Sequence, residues 1–158
     1  MLKTPIPGLV LVSLSEGHAS ALYELVQQNR GHLTAYGDYA GLVATTLEGF
    51  MLELSEASSD LRFGIYLQQQ MVGRIDLIAV APPRYGLGYW LAQSATGKGY
   101  ATAALKALLE FASTELHASD VFAGVTHSNS RSAAVLERAG FVPAENFERY
   151  TRFHRALA

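Results

Sequence analysis

Apolar positions along the chain change their period several times, and each change marks an element. The run "GLVLVSL", residues 8–14, predicts a first strand. Leu22, Leu25 and Val26 then fall on one side of a helical wheel, with Ser15 placed to cap the helix and Gly31 to end it. "RGHLTAYGDYAG" is polar, aromatic and punctuated by glycine, and reads as a loop or broken helix. Leu47, Phe50, Met51 and Leu54 restore helical spacing across residues 42–57. Two helices are thus expected ahead of the main sheet.

The period then drops to two. Leu61, Phe63, Ile65 and Leu67 alternate with Arg62, Tyr66 and Gln68, "QQQMVG" supplies a turn, and "RIDLIAVA" returns, which predicts a hairpin. "GLGYWLA" is a further strand, with Tyr89 and Trp90 read as sheet and core residues. A small, glycine-bearing turn follows. Ala104, Leu105, Leu108, Leu109 and Ala112 then give helical spacing over residues 100–116. "SDVFAGVTH" predicts a strand, "NSRSAAVLERAG" a helix closed by Gly140, and the remaining residues one or two strands. The order β α α β β β α β α β(β) describes a mixed α/β sheet.

The chain has 158 residues, enough for one domain over residues 1–158 that buries roughly 70% of its unfolded surface. Hydrophobic residues make up 49% and charged residues 16%, which excludes a disordered chain. A formal charge of -2 gives no bulk attraction to nucleic acid or anionic lipid, so neither is expected as a partner. With no cysteine, disulfides, thiolate metal sites and a cysteine nucleophile are ruled out, in keeping with a cytoplasmic protein. The first residues lack the apolar region and cleavage site of a signal peptide, and no apolar run approaches the ~18 residues of a membrane span.

The chemistry concentrates at "YWLAQSATGKGYAT", residues 89–102. A glycine turn between strand and helix aims successive N–H groups at one point beside the positive end of the helix dipole, which suits a phosphate. The same turn also serves as an ordinary strand-to-helix loop. A Walker A loop would need glycine at position 92 and Ser or Thr after the lysine, where Ala92 and Gly99 stand. A dinucleotide fingerprint would need a third small residue where Thr102 stands.

"SATGKG", preceded by "GYWL" and followed after one strand by "NSRSAAVLERAGF", resembles the cofactor loop and flanks of the GCN5-related N-acetyltransferases (GNAT), and among them the ribosomal-protein N-acetyltransferase branch. Ser94 stands where that family's R/Q-x-x-G-x-G/A loop begins with Arg or Gln. The resemblance runs over nearly the whole chain. It implies a GNAT fold: a mixed, mostly antiparallel twisted sheet with a splayed central strand pair and helices on both faces. It also implies acetyl-CoA as co-substrate. The pyrophosphate would lie on Thr96, Gly97, Lys98, Gly99, Tyr100 and Ala101, and the pantetheine arm along Leu91 and Ala92.

By the same resemblance Asn129 and Ser132 match an N-x-x-S motif, with the asparagine near the pantetheine and the serine near the thioester sulfur. Both residues also suit the start of a helix. Leu136 occupies the position of the tyrosine acid found in many relatives, so the leaving thiolate is assigned to Ser132. The family's bases do not carry over: Gly86 stands where the branch has a glutamate. His127 is the first local candidate, followed by Asp76, Glu145 and Glu148. Tyr36, Asp38 and Tyr39, with His32, are candidates to bind the acceptor.

The function so implied is direct acetyl transfer from acetyl-CoA to a primary amine, without metal. A lysine amine of pKa about 10.4 needs far more help to lose its proton than an α-amine near 7.7, so the lack of a base favours a protein N-terminus or amino-acid-like amine. Acetylation of a small amine such as a polyamine or antibiotic is the alternative among enzymes, and a non-catalytic CoA-binding module the alternative outside them. A C-terminal edge strand would permit a homodimer.

Overall fold

A computed structural model describes residues 1–157. Its frame is one eight-stranded sheet. The strands are β1 (Leu2–Lys3), β2 (Leu9–Ser13), β3 (Leu61–Leu67), β4 (Gln70–Ala81), β5 (Arg84–Leu91), β6 (Asp120–Thr126), β7 (Val142–Asn146) and β8 (Tyr150–Ala156). They lie in the order β1-β2-β3-β4-β5-β6-β8-β7, and every neighbouring pair is antiparallel except β5 and β6. The parallel pair needs a crossover, supplied by helix α5 (Tyr100–Glu115).

Alternation along the strands sends apolar side chains to both faces, and a helical layer covers each. Leu9, Ile65, Ile75, Leu77, Leu87 and Val121 pack with Leu105, Leu108 and Ala112 of α5 and with Leu136 of α6 (Ser130–Arg138). On the opposite face Met71 and Trp90 meet Leu22 and Val26 of α1 (Ala19–Gln28) and Phe50 and Leu54 of α4 (Leu47–Ser55). Burying each such side chain stabilises the fold by about 1.5–3 kcal/mol, which holds both layers to the sheet.

The early helices differ in detail from the sequence pattern. Four precede the hairpin, since α2 (Arg30–Leu33) and α3 (Ala40–Ala44) join α1 and α4. Gly31 lies inside α2 and does not end the first helix; Asn29 does, with its backbone out of the helical region and its Nδ2 donating to the Leu25 carbonyl at 2.9 Å. The helix expected over residues 42–57 is broken at Thr45, whose backbone is extended. Thr46 then caps α4 by accepting from the Gly49 N–H at 3.0 Å. Ser15 does start the first helical segment, which opens with a single 3-10 turn, Glu16–His18. The hairpin of β3 and β4, the final helix with Gly140 just beyond it, and two closing strands form as the pattern predicts.

One contact fixes the register beside the functional region. Gly73 of β4 pairs with Leu91, and a Cβ at position 73 would stand 2.4 Å from the Trp90 carbonyl oxygen, so only glycine lets β4 and β5 approach there.

Candidate active site

β5 and β6 pair only at Arg84 with Asp120, Tyr85 with Val121 and Gly86 with Phe122. Beyond Gly86 they part. β5 stays on β4 as far as Leu91, and β6 stays on β8 as far as Thr126. The wedge between them is a cavity of about 710 Å³, with Leu87, Tyr89 and Leu91 on one wall and Ala123 and Val125 on the other.

Thr96, Gly97, Gly99, Tyr100 and Ala101 line its open end. Gly97 and Gly99 have φ of 75° and 82°, conformations that L side chains resist, and Gly99 is the residue from which α5 starts. The first amides of α5 therefore face the cavity mouth without helical partners, the arrangement that holds an anion. Of the residues assigned to the loop from the sequence, Lys98 is exposed and does not line the cavity. Its place is taken by Lys106, Arg131 and Arg138 from α5 and α6. Lys106 carried no sequence signal beyond being one polar position of an apolar helix. Asn29 also helps here, since its Oδ1 accepts from the Gln93 N–H at 2.9 Å and ties α1 to the approach of the turn.

Leu91 lines the cavity, but Ala92 does not; its N–H donates back to the Val72 carbonyl at 2.7 Å. Successive residues of a strand turn their N–H and C=O groups to opposite edges, so Tyr89 and Leu91 present theirs to the wedge. Both carbonyls already have partners. Tyr39 donates its hydroxyl to the Tyr89 carbonyl at 2.8 Å, and the His32 Nε2 donates to the Leu91 carbonyl at 3.1 Å. Across the wedge, Asp38 accepts from the Thr126 hydroxyl of β6 at 2.6 Å. The segment from α2 to α3 thus straps β5 to β6 over the gap. The Tyr39 ring remains partly open to solvent while its hydroxyl lies inside; burial first, then the charges of Tyr89, Asp38 and Asp76, push its pKa up to about 12. Tyr36 also lines the cavity.

Asn129 and Ser132 both line the cavity from the start of α6, just beyond β6, where Asn129 Oδ1 accepts from the Ser132 N–H at 3.1 Å and so caps the helix. Ser132 Oγ is 2.6 Å from the hydroxyl of Tyr89. The sequence marks Tyr89 as a sheet and core residue without a site role; its parity with Leu87 and Leu91, which face α5, is the signal that sets it on this wall. His127 does not line the cavity, and its Nε2 is 2.7 Å from the Phe147 carbonyl. Glu145 and Glu148 are exposed and also lie away from it.

A second cavity of about 410 Å³ lies on the α4 side of β5 and shares Tyr39, Gly88, Tyr89 and Trp90 with the first. Arg74, almost fully buried, grips two carboxylates there. Its Nη1 and Nη2 reach Glu53 at 3.1 and 2.7 Å, and its Nε and Nη2 reach Asp76 at 3.0 and 3.1 Å. The bond from Arg74 holds Glu53 below the usual carboxylate range, whereas burial outweighs Arg74 at Asp76 and pushes it up. Asp76 pairs across the strands with Gly88, which leaves the space above it open.

Comparison with known proteins agrees with this arrangement. The acetyltransferase (GNAT) domain profile matches residues 8–142. A segment of 94 residues is 32% identical to the Probable N-acetyltransferase YjcK of Bacillus subtilis, covering 56% of this chain and 52% of that protein, about half its length. The fold superposes on the ribosomal L7/L12 α-N-protein acetyltransferase RimL, solved with coenzyme A, with a TM-score of 0.88 at 20% identity over 99% and 98% of the two chains. It also superposes on the microcin C7 self-immunity acetyltransferase MccE, solved with acetyl-CoA and AMP, with a TM-score of 0.80 at 19% identity over 96% and 93%. A profile that spans most of the chain, together with a parallel strand pair that splays beside a glycine turn, places the protein in the GNAT family of acetyltransferases.

Proposed function

We propose that this protein transfers the acetyl group of acetyl-CoA directly to a primary amine, with a protein N-terminus or amino-acid-like α-amine as the favoured acceptor. The splayed wedge carries the reading: the glycine turn offers free helix amides with three cations nearby to phosphates, and the start of α6 offers Ser132 to a thioester sulfur. The pyrophosphate would rest on the turn from Thr96 to Ala101, with the exposed Lys98 free to meet an outer phosphate. The amine would enter through the second cavity, whose lining carries the carboxylates of Glu53 and Asp76, with Glu53 open to solvent on one side.

The preference for an α-amine rests on the state of those carboxylates. Asp76 pairs with Gly88 on the shared wall, and although burial raises it, both of its oxygens already accept from Arg74, so an amine would have to displace that bond to use it as a base. At pH 7 an amine of pKa about 7.7 is roughly one-sixth neutral, while a lysine must give up about 4–5 kcal/mol to reach that form. Release of CoA thiol is to be followed with peptides that offer only a free N-terminus or only a lysine side chain, and with spermidine and single amino acids. Preference for the lysine peptide would sink the acceptor assignment. Acetyl-CoA binding without release from any acceptor would leave only a binding module.

Gly88 offers a cleaner separation of the two cavities. It shares the parity of Trp90, lines both spaces, and a Cβ there meets nothing within 4 Å. Gly88→Leu is expected to fold normally and to bind acetyl-CoA within about threefold of the parent, yet to lower kcat/KM for the amine by about tenfold or more through misplacement. Steady-state kinetics with each substrate varied in turn checks this.

A further inference from the structure

The hydroxyls of Tyr89 and Ser132 stand 2.6 Å apart on the wall of the wedge, joining β5 to the first turn of α6. We propose that Tyr89 is a relay residue for the leaving group: it donates its hydrogen bond to Ser132, which leaves the Ser132 hydroxyl hydrogen free for the departing CoA sulfur. The inference rests on the acetyl-transfer reading above and adds to it a source for the proton.

Three observations support this. First, α6 carries no hydroxyl one turn beyond Ser132, because Leu136 is fully buried there in the apolar core. A donor to back Ser132 must therefore come from another element, and Tyr89 reaches the serine hydroxyl from β5. Second, the polarity of the pair is set by chemistry. A phenol is much more acidic than an aliphatic alcohol, so Tyr89 is the better donor and Ser132 the better acceptor. The other acceptor near the phenol is the Ser132 carbonyl at 3.4 Å, which again leaves the serine hydrogen unused. Third, both residues line the cavity, so the pair faces the ligand space as well as bridging β5 to α6. Burial pushes the Tyr89 phenol up, with the bond to Ser132 acting against it, so the relay stays protonated before reaction.

The step balances as follows. The amine nitrogen bonds to the acetyl carbon, the C–S bond breaks, and its electron pair goes to sulfur. The Ser132 hydroxyl proton moves to sulfur as the Tyr89 proton moves to Ser132 Oγ. The proton shed by the acceptor nitrogen returns through solvent to the Tyr89 oxygen, so one proton passes from nitrogen to sulfur overall.

Tyr89→Phe keeps the ring and removes the relay. It is expected to lower kcat about 10- to 100-fold with KM for acetyl-CoA unchanged. Ser132→Ala should give a similar loss, and the double variant no more than the larger single loss, because the two act in series. A second readout needs no turnover: the ultraviolet absorbance of the thiolate of bound CoA, at one pH near the ordinary thiol pKa. Donation from the pair stabilises thiolate, so its fraction should fall in both single variants while calorimetry shows CoA still bound. Unchanged kcat and thiolate fraction in Tyr89→Phe, with CoA bound, would overturn the relay and leave the transferase reading standing. Failure of the parent protein to bind CoA would overturn both.

Discussion

Replacing Gly99 by valine is expected to weaken acetyl-CoA binding by about 100-fold while the protein stays folded. Gly99 holds φ at 82°, and a β-branched side chain in that region costs about 1–2 kcal/mol, so the turn will relax away from it. Relaxation turns the first amides of α5 off their common target, and a hydrogen bond to a charged group is worth about 1.5–3 kcal/mol. The two effects together span about 2.5–5 kcal/mol, and the lower end, expected because a relaxed turn sheds part of its strain, matches the ~2.7 kcal/mol of a 100-fold change. Nothing lies within 4 Å of a Cβ built at this position, so no clash accompanies the strain. The thermal midpoint should drop by only a few degrees, since about 1 kcal/mol shifts a domain of this size by about 2–4 °C. Gly99→Ala, facing the same φ demand without branching, should fall between the two. Calorimetric titration with acetyl-CoA decides the matter: affinity kept within about threefold would show that the phosphates do not lie on this turn.

The largest loss of stability is expected from Arg74→Met. The methionine retains the apolar stem beside Trp90, its cross-strand partner, but leaves Glu53 and Asp76 without the guanidinium that bridges them. Removing one member of a buried ionic cluster costs about 3–5 kcal/mol, and the lower end applies because Glu53 is 41% exposed. A loss of about 3 kcal/mol should lower the midpoint by about 6–12 °C. Replacing Glu53 and Asp76 by Gln and Asn in the same chain should return most of it, since the stranded charges cause the loss. Chemical denaturation of the parent, the single and the triple variant checks this; a single variant as stable as the parent would show the cluster to be energetically idle.

The sheet was legible because strands and helices bury their faces with different periods. The β3–β4 hairpin, α5 and α6 follow from the spacing of Phe63 and Ile65, of Leu105 and Leu108, and of Val135 and Leu136. β1 was not, because two residues cannot show a period. The helix breaks near Asn29 and Thr45 depend on side-chain bonds to particular backbone groups, which apolar spacing does not record. Within the candidate site, the glycine turn, Asn129 and Ser132 stand out in the sequence through their resemblance to family motifs of fixed spacing, and the structure brings them to one cavity. The partnership of Tyr89 with Ser132, 43 residues apart, and that of Arg74 with Glu53, 21 apart, arise only when α6 and α4 pack on the sheet.

The strap over the wedge bears on where affinity comes from. The outward carbonyls of Tyr89 and Leu91 are occupied by Tyr39 and His32. An incoming amide that takes either carbonyl therefore exchanges one hydrogen bond for another, and such an exchange is close to neutral because each side gives up what it gains. Strand-like pairing along β5 would then set the position of a ligand to within a residue step while adding little to its grip. Holding power would then come from contacts beyond the strand, at the glycine turn and against the apolar lining of Leu87, Ala123 and Val125. Shortened thioesters lacking the nucleotide should accordingly sit in the right register and leave quickly.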